Sequence, residues 1–165
     1  MGHSAGAHIA AMIAFDEHYL GRPKDSGMLA GFIGLAGPYD FLPLSSRTLK
    51  DLFGPPDRYP DSQPVNFVDG GESPALLLHG DEDSTVWLRN TIRMAAAIEQ
   101  AGGSVTTHVY PEVNHVEIIG ALAKPFADWA PVQRDVLEFI AANSCDSDKP
   151  YSSLVQLRAN RPHNN

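Results

Sequence analysis

GHSAG at positions 2–6, inside MGHSAGAHIAAM (1–12), is the stretch on which the fold turns. It has the pattern GxSxG, in which a serine sits at a sharp turn between a β-strand and a helix, and the small residues Gly2, Gly6 and Ala7 permit the tight backbone that such a turn needs. Ser4 is thereby a candidate nucleophile. Its plainer reading is a helix-capping serine, a position that serine favours in any case. Only Met1 precedes the motif, so no hydrophobic run marks a strand entering the turn.

Outward from the serine, AGAHIAAMIAFDEHYL (5–20) predicts a helix. Ile9, Met12, Ile13 and Leu20 are spaced as its apolar stripe, the alanines allow close packing on a sheet, and Gly21, Arg22 and Pro23 break it. MLAGFIGLAG (28–37) is an almost uncharged run, as expected of a strand buried on both faces, and Gly37-Pro38 ends it. Between Phe41 and Gly71 periodicity disappears and prolines recur, which predicts an ordered excursion of the kind that often covers binding sites, with a short helix near TLKDLFG (48–54). PALLLHG (74–80) predicts a second buried strand, RNTIRMAAAIEQAGG (89–103) an amphipathic helix stopped by its two glycines, and VTTHVYP (105–111) a third strand. Val132, Val136, Phe139 and Ile140 mark a last helix. Strands alternating with helices predict an α/β fold, a parallel sheet with helices on both faces. From Ser144 the apolar periodicity is lost and the chain ends polar, so the expected division is a domain over 1–143 and a disordered tail over 144–165.

The formal net charge of -8, from 12 basic and 20 acidic side chains, repels phosphate backbones and anionic lipid, so neither nucleic acid nor a membrane surface is an expected partner. Cys145 is the one cysteine and forms no internal disulfide. No run approaches the ~18 to 20 apolar residues that span a bilayer. No leader pattern is visible either, which points to the cytoplasm.

A serine needs a base to take its proton and preorganised donors to meet the oxyanion. Two partners lie where parallel strands end, the place where open α/β sheets build sites. Asp83 follows PALLLHG in HGDEDSTV, and His115 follows VTTHVY in PEVNH. The chain order is then Ser4, Asp83, His115, that of one major hydrolase class. His115 would relay the proton and Asp83 would hold its imidazole in the required tautomer. Asp81 and Glu82 compete with Asp83 as solvated loop carboxylates. His79 and His108 read as packed and hydrogen-bonded strand residues. His3, His8 and His18 share one segment, but spacings of 5 and 10 do not align them on a helical face as metal ligands. Tyr39, Asp40 and Phe41 either line a pocket or form the turn after Gly37-Pro38, and Trp87 is either a pocket wall or packing at a helix start.

GHSAGAH, GPYDF, PALLLHGDEDSTVWLRNT and YPEVNH, in that order, resemble the α/β-hydrolase fold, and within it the esterase, lipase and arylformamidase-like carboxylesterase group. The resemblance extends from Gly2 to Ala142. It implies a three-layer α/β/α domain with Ser4 as nucleophile, the backbone N–H of Ala5 as an oxyanion donor, Asp83 as acid and His115 as base. The implied reaction is hydrolysis of a small-molecule carboxylic ester or N-formyl amide through an acyl-enzyme, with no cofactor and no metal. The pattern departs from the family at its start, where an entering strand and an HGG-type loop with a second oxyanion donor are expected. The corresponding expectation is a C-terminal half that lacks the N-terminal strands, whose strand at 28–37 has an uncovered edge that favours self-association. The rival reading is a non-catalytic remnant or binding module that keeps the residues without the activity.

Overall fold

The computed structural model describes residues 1–20 and 28–144. The expected break at Gly21, Arg22 and Pro23, Cys145 and all of the expected tail beyond Ser144 lie outside the described residues. Four parallel strands form one sheet in the order β1-β2-β3-β4: Gly2–His3, Phe32–Leu35, Ala75–Gly80 and Val105–Tyr110. Helices α1 (Ala5–Phe15) and α2 (Glu17–Leu20) follow β1, and α3 (Arg47–Phe53) lies in the excursion after β2. Helix α4 (Arg89–Gln100) connects β3 to β4, and α5 (Glu117–Gly120) and α6 (Val132–Asn143) follow β4.

Alternation along the strands explains the layers, because successive side chains point to opposite faces. Ile33, Leu35, Leu76 and Leu78 face one side, where they pack with Ile118, Val132 and Val136. Phe32, Ala75 and Leu77 face the other, against Ala7 and Ala11 of α1 and Met94 and Ile98 of α4. The result is the three-layer α/β/α arrangement, with β2 and β3 buried throughout.

Helix α1 departs from its expected face. Ile9 is 59% exposed and Ile13 36%, while Ala7, Ala11, Met12, Ala14 and Phe15 are buried. The alanines bring the helix axis close to the sheet, so the larger branched side chains point outward. Ile140 is also half-exposed on α6, whereas Val132 and Val136 are buried as expected. The excursion contains the expected short helix, followed by 3-10 turns at Pro56–Ser62 and Pro64–Phe67. His108 is exposed rather than packed, since β4 is an outer strand of this sheet with alternate residues in solvent. The expected uncovered edge at 28–37 is partly covered, because Gly2 pairs with Gly34 and His3 with Leu35. The outer edge on that side therefore belongs to β1.

Candidate active site

Ser4 sits between the last residue of β1 and the first of α1, with φ 53° and ψ -125°. A serine rarely adopts this left-handed backbone, which costs about 1–3 kcal/mol and persists only where surrounding structure enforces it. The enforcing contacts are on the main chain. The Ser4 N–H donates to the Leu35 carbonyl at 2.9 Å, and the Ser4 carbonyl accepts from Ala7 and His8 at 2.9 and 3.1 Å. Ser4 occupies the N-cap position, yet its hydroxyl makes no capping hydrogen bond. The Ala5 N–H opens α1, among the first-turn donors that have no partner within a helix. Gly2 is required here for close approach: a Cβ on it would lie 2.2 Å from the Gly6 carbonyl oxygen, whereas a Cβ on Gly6 would meet open space.

Asp83 and His115 come together from different loops. His115 Nδ1–H donates to Asp83 Oδ2 at 2.7 Å, and the other carboxylate oxygen accepts the N–H groups of Thr85 and Val86, each at 2.8 Å. The carboxylate is fully enclosed and the imidazole nearly so. With Nδ1 committed as donor, the basic lone pair of a neutral His115 is on Nε2. The two loops are fastened by backbone: Asp81 N–H donates to the Tyr110 carbonyl at 3.1 Å and Glu82 N–H to the Val113 carbonyl at 3.2 Å. Gly80 makes that approach possible, since a Cβ on it would lie 2.0 Å from the Val113 oxygen. Asp81 has a separate task. Its exposed carboxylate accepts the Glu112 N–H at 2.8 Å, at a residue with φ 59°.

His79 is packed and hydrogen-bonded, as expected, and what sequence reasoning missed is its place beside Asp83. It is fully buried, with Nε2–H donating to the Val86 carbonyl at 2.9 Å and lying 3.4 Å from Asp83 Oδ2, while Nδ1 and the Thr91 hydroxyl are 2.7 Å apart. Burial pushes its pKa down, as does the His115 charge, against the opposing effects of the Val86 hydrogen bond and Asp83. Neutral His79 therefore accepts from Thr91 and supports the loop that presents Asp83. Nothing in the sequence but its place at the end of a buried strand marked it.

On the serine side, His3 Nε2–H donates to the His115 carbonyl at 2.8 Å, and the two rings lie 4.6 Å apart at 43°. His8 Nε2–H donates to the Ser62 carbonyl at 2.7 Å, and its ring meets Phe41 and Phe53 edge-on. These contacts tie α1 to the excursion. Tyr39 is fully buried against Phe32, and Asn90 Oδ1 accepts the N–H groups of Tyr39 and Asp40 at 3.1 and 2.9 Å, so this stretch forms the turn. Trp87 is half-exposed at the start of α4, beneath the Arg89 guanidinium at 4.1 Å.

The structure thus joins Asp83 to His115, and His3, the neighbour of Ser4, to the His115 backbone. It makes no hydrogen bond from the Ser4 hydroxyl to His115 among the described residues. Such bonds are commonly long without substrate. An open groove of about 660 Å³ lies in the excursion between Leu42, Leu44, Pro56 and Tyr59, and is not lined by Ser4 or His115. Among the described residues no helix is long and apolar enough to cross a membrane, and no three His, Cys, Asp or Glu side chains gather as metal ligands.

Solved structures with this fold include esterase 2 of Thermogutta terrifontis in its apo form, at a TM-score of 0.66 and 19% identity over 90% of the chain and 56% of the esterase. A truncated carbohydrate esterase from gut microbiota superposes at 0.64 with 19% identity, covering 88% of the chain and 59% of the esterase. An acetyl ester-xyloside bifunctional hydrolase from Caldicellulosiruptor lactoaceticus gives 0.63 and 17%, covering 85% and 55%. The chain therefore spans less than two thirds of the length of these structures, and at such identities the likeness is one of fold. A search of curated protein sequences finds no match. The sequence profile of the prolyl oligopeptidase family matches residues 1–145. With an α/β-hydrolase sheet and this match along nearly its whole length, the chain belongs to the prolyl oligopeptidase family.

Proposed function

We propose that the protein is a serine hydrolase that cleaves a carboxylic ester or N-formyl amide through an acyl-enzyme. Ser4 attacks the carbonyl carbon, and His115 Nε2 takes the hydroxyl proton. The backbone N–H of Ala5 donates to the oxyanion, and Asp83 holds the His115 tautomer and stabilises its positive charge. The tetrahedral intermediate then expels the alcohol or amine, which receives the proton from His115. A water molecule, deprotonated by the same imidazole, hydrolyses the acyl-serine.

The observation that carries this reading is the strained, uncapped Ser4 at the strand-to-helix turn, beside a loop whose His115 is hydrogen-bonded to a buried carboxylate. A capping serine would use its hydroxyl on the first turn and would need no left-handed φ. The solved neighbours named as esterases favour an ester. The family to which the chain belongs favours a second reading, hydrolysis of a peptide bond, for which the same three side chains would serve.

The test is labelling of the folded protein by a fluorophosphonate, with p-nitrophenyl acetate and a short peptide p-nitroanilide as competing substrates. Labelling and ester turnover should both disappear in Ser4→Ala, a loss on the order of 10⁶-fold in turnover for a triad serine. Faster anilide cleavage would select the peptidase reading. Labelling that persists in Ser4→Ala overturns the nucleophile assignment, and a folded wild-type protein with no labelling marks a non-catalytic module.

A further inference from the structure

We propose that His3 is a positioning residue for this reaction: as the Nε2–H tautomer it donates to the His115 main-chain carbonyl and braces the His115 ring against the serine turn. The inference rests on the function proposed above.

The geometry gives His3 a task no other side chain performs among the described residues. His115 lies in the loop after β4, whereas Ser4 follows β1, at the opposite edge of the sheet. To reach the serine, the loop must pass over the ends of β3 and β2. Its first hold is at β3, through Val113 to Glu82 and the His115 side chain to Asp83. Its second is at β1, where His3 Nε2–H donates to the His115 carbonyl at 2.8 Å with the rings 4.6 Å apart. Asp83 therefore orients the imidazole, while His3 locates its backbone relative to the residue that immediately follows His3, Ser4. The pairing of His3 with Leu35 places the brace on the sheet itself.

Neutral His3 suits this position. Its pKa is lowered, chiefly by burial and also by the His115 charge, with the His115 carbonyl and Asp83 opposing. A neutral imidazole with its proton on Nε2 donates the bond without adding a second positive charge beside His115 when that residue accepts the serine proton.

The experiment compares wild type with His3→Phe, which keeps a ring but no donor, and His3→Gln, whose amide N–H supplies one. On the full chain, His3→Phe should lower kcat for p-nitrophenyl acetate and the fluorophosphonate labelling rate together by about 10²-fold, the effect of a misplacement of about 1 Å, with KM within twofold. His3→Gln should recover both to within about threefold of wild type. Long-range proton–nitrogen NMR of the wild-type imidazoles supplies a readout independent of activity and of variant folding: His3 should appear as the Nε2–H tautomer. Wild-type rates in His3→Phe, a His3→Gln as slow as His3→Phe, or an Nδ1–H tautomer each overturn the role of His3 alone. A wild-type chain that is not labelled at Ser4 overturns the proposed function instead, and the tautomer still decides whether the brace exists.

Discussion

Asp83 leaves β3, a six-residue strand with partners on both sides, whereas Ser4 leaves β1, which pairs with β2 across Gly2 and His3 alone. The first end of the candidate site is over-determined. Asp83 is fixed by three hydrogen bonds in an enclosed position, with His79 behind it and two backbone bonds fastening its loop to that of His115. At the serine end a strained residue is held by few contacts: one backbone bond to β2, the first turn of α1, and the His3 brace. The difference teaches where each kind of change acts. On the proposed reading, substitution near Asp83 should perturb chemistry in a frame that stays folded, while substitution of the residues that hold Ser4 should perturb the frame.

After loss of the proposed nucleophile itself, the largest expected effect is at the rigid end. On the proposed reading, Asp83→Asn lowers turnover by about 10⁴-fold, because an amide N–H facing His115 Nδ1 selects the wrong tautomer. Its remaining oxygen still accepts from Thr85 and Val86, so the unfolding midpoint in urea should move little. Asp81→Asn keeps an oxygen for the Glu112 N–H and should leave turnover within about threefold of wild type. Steady-state kinetics and urea unfolding of both variants decide this. An Asp81→Asn defect larger than that of Asp83→Asn would assign the acid to the wrong carboxylate.

The next effect is at the serine end and is read in stability first. Gly2→Ala places a Cβ against the backbone of Gly6 and Ala7, at 2.2 to 2.7 Å, where no side-chain rotation relieves the overlap. The expected loss is about 3 kcal/mol, the upper part of the usual range for overpacking. Turnover should fall as the turn opens. Gly6→Ala, four residues later in the same motif, meets no neighbour and lies within a helix, so it should gain up to about 1 kcal/mol. Thermal or urea unfolding of the pair tests whether strain is borne by Gly2. Equal losses in both variants would mean that the turn, not the close approach, sets the demand for glycine.

The sequence made these two ends legible to different degrees. HGDEDSTV and PEVNH announce themselves because a strand ends just before each, which places both stretches at one end of a parallel sheet, while the family resemblance singled out Asp83 from Asp81 and Glu82. GHSAG was legible through its glycines. What was not legible depends on partners distant in the chain. Ile9 and Ile13 have helical spacing but yield the buried face to alanines, since close packing on the sheet is decided by the sheet. His108 follows a strand pattern, yet exposure depends on whether another strand lies beyond β4 among the described residues. His79 and His3 acquire their contacts from Thr91, Val86 and His115, which local periodicity does not indicate.

The smallest expected effect contrasts the two ends through protons. His79 at the acid end and His8 at the serine end both have pKa values lowered from 6.5 mainly by burial, with hydrogen bonds to the Val86 and Ser62 carbonyls opposing. For a histidine lowered in the folded state, the unfolded chain binds more protons as pH falls through 6.5. The contribution to stability is thus complete above 6.5 and lost as pH falls through the depressed folded value, at no more than about 1.4 kcal/mol per pH unit for each group. His79 should dominate. It is fully enclosed, and protonating Nδ1 breaks the bond it accepts from the Thr91 hydroxyl, although the Asp83 carboxylate offsets part of the cost and the His115 charge adds to it. His8 keeps one side toward solvent, and among the described residues its partners are Ser62, Phe41 and Phe53, with no carboxylate or second cation beside it. Urea midpoints measured from pH 7.5 down to 5.0 should therefore fall for wild type, fall less steeply for His79→Gln, and fall nearly as in wild type for His8→Gln. If His8→Gln removed the slope and His79→Gln preserved it, the proton-sensitive contact would lie where the excursion meets α1, and the serine end would be the one whose folding is tuned by pH.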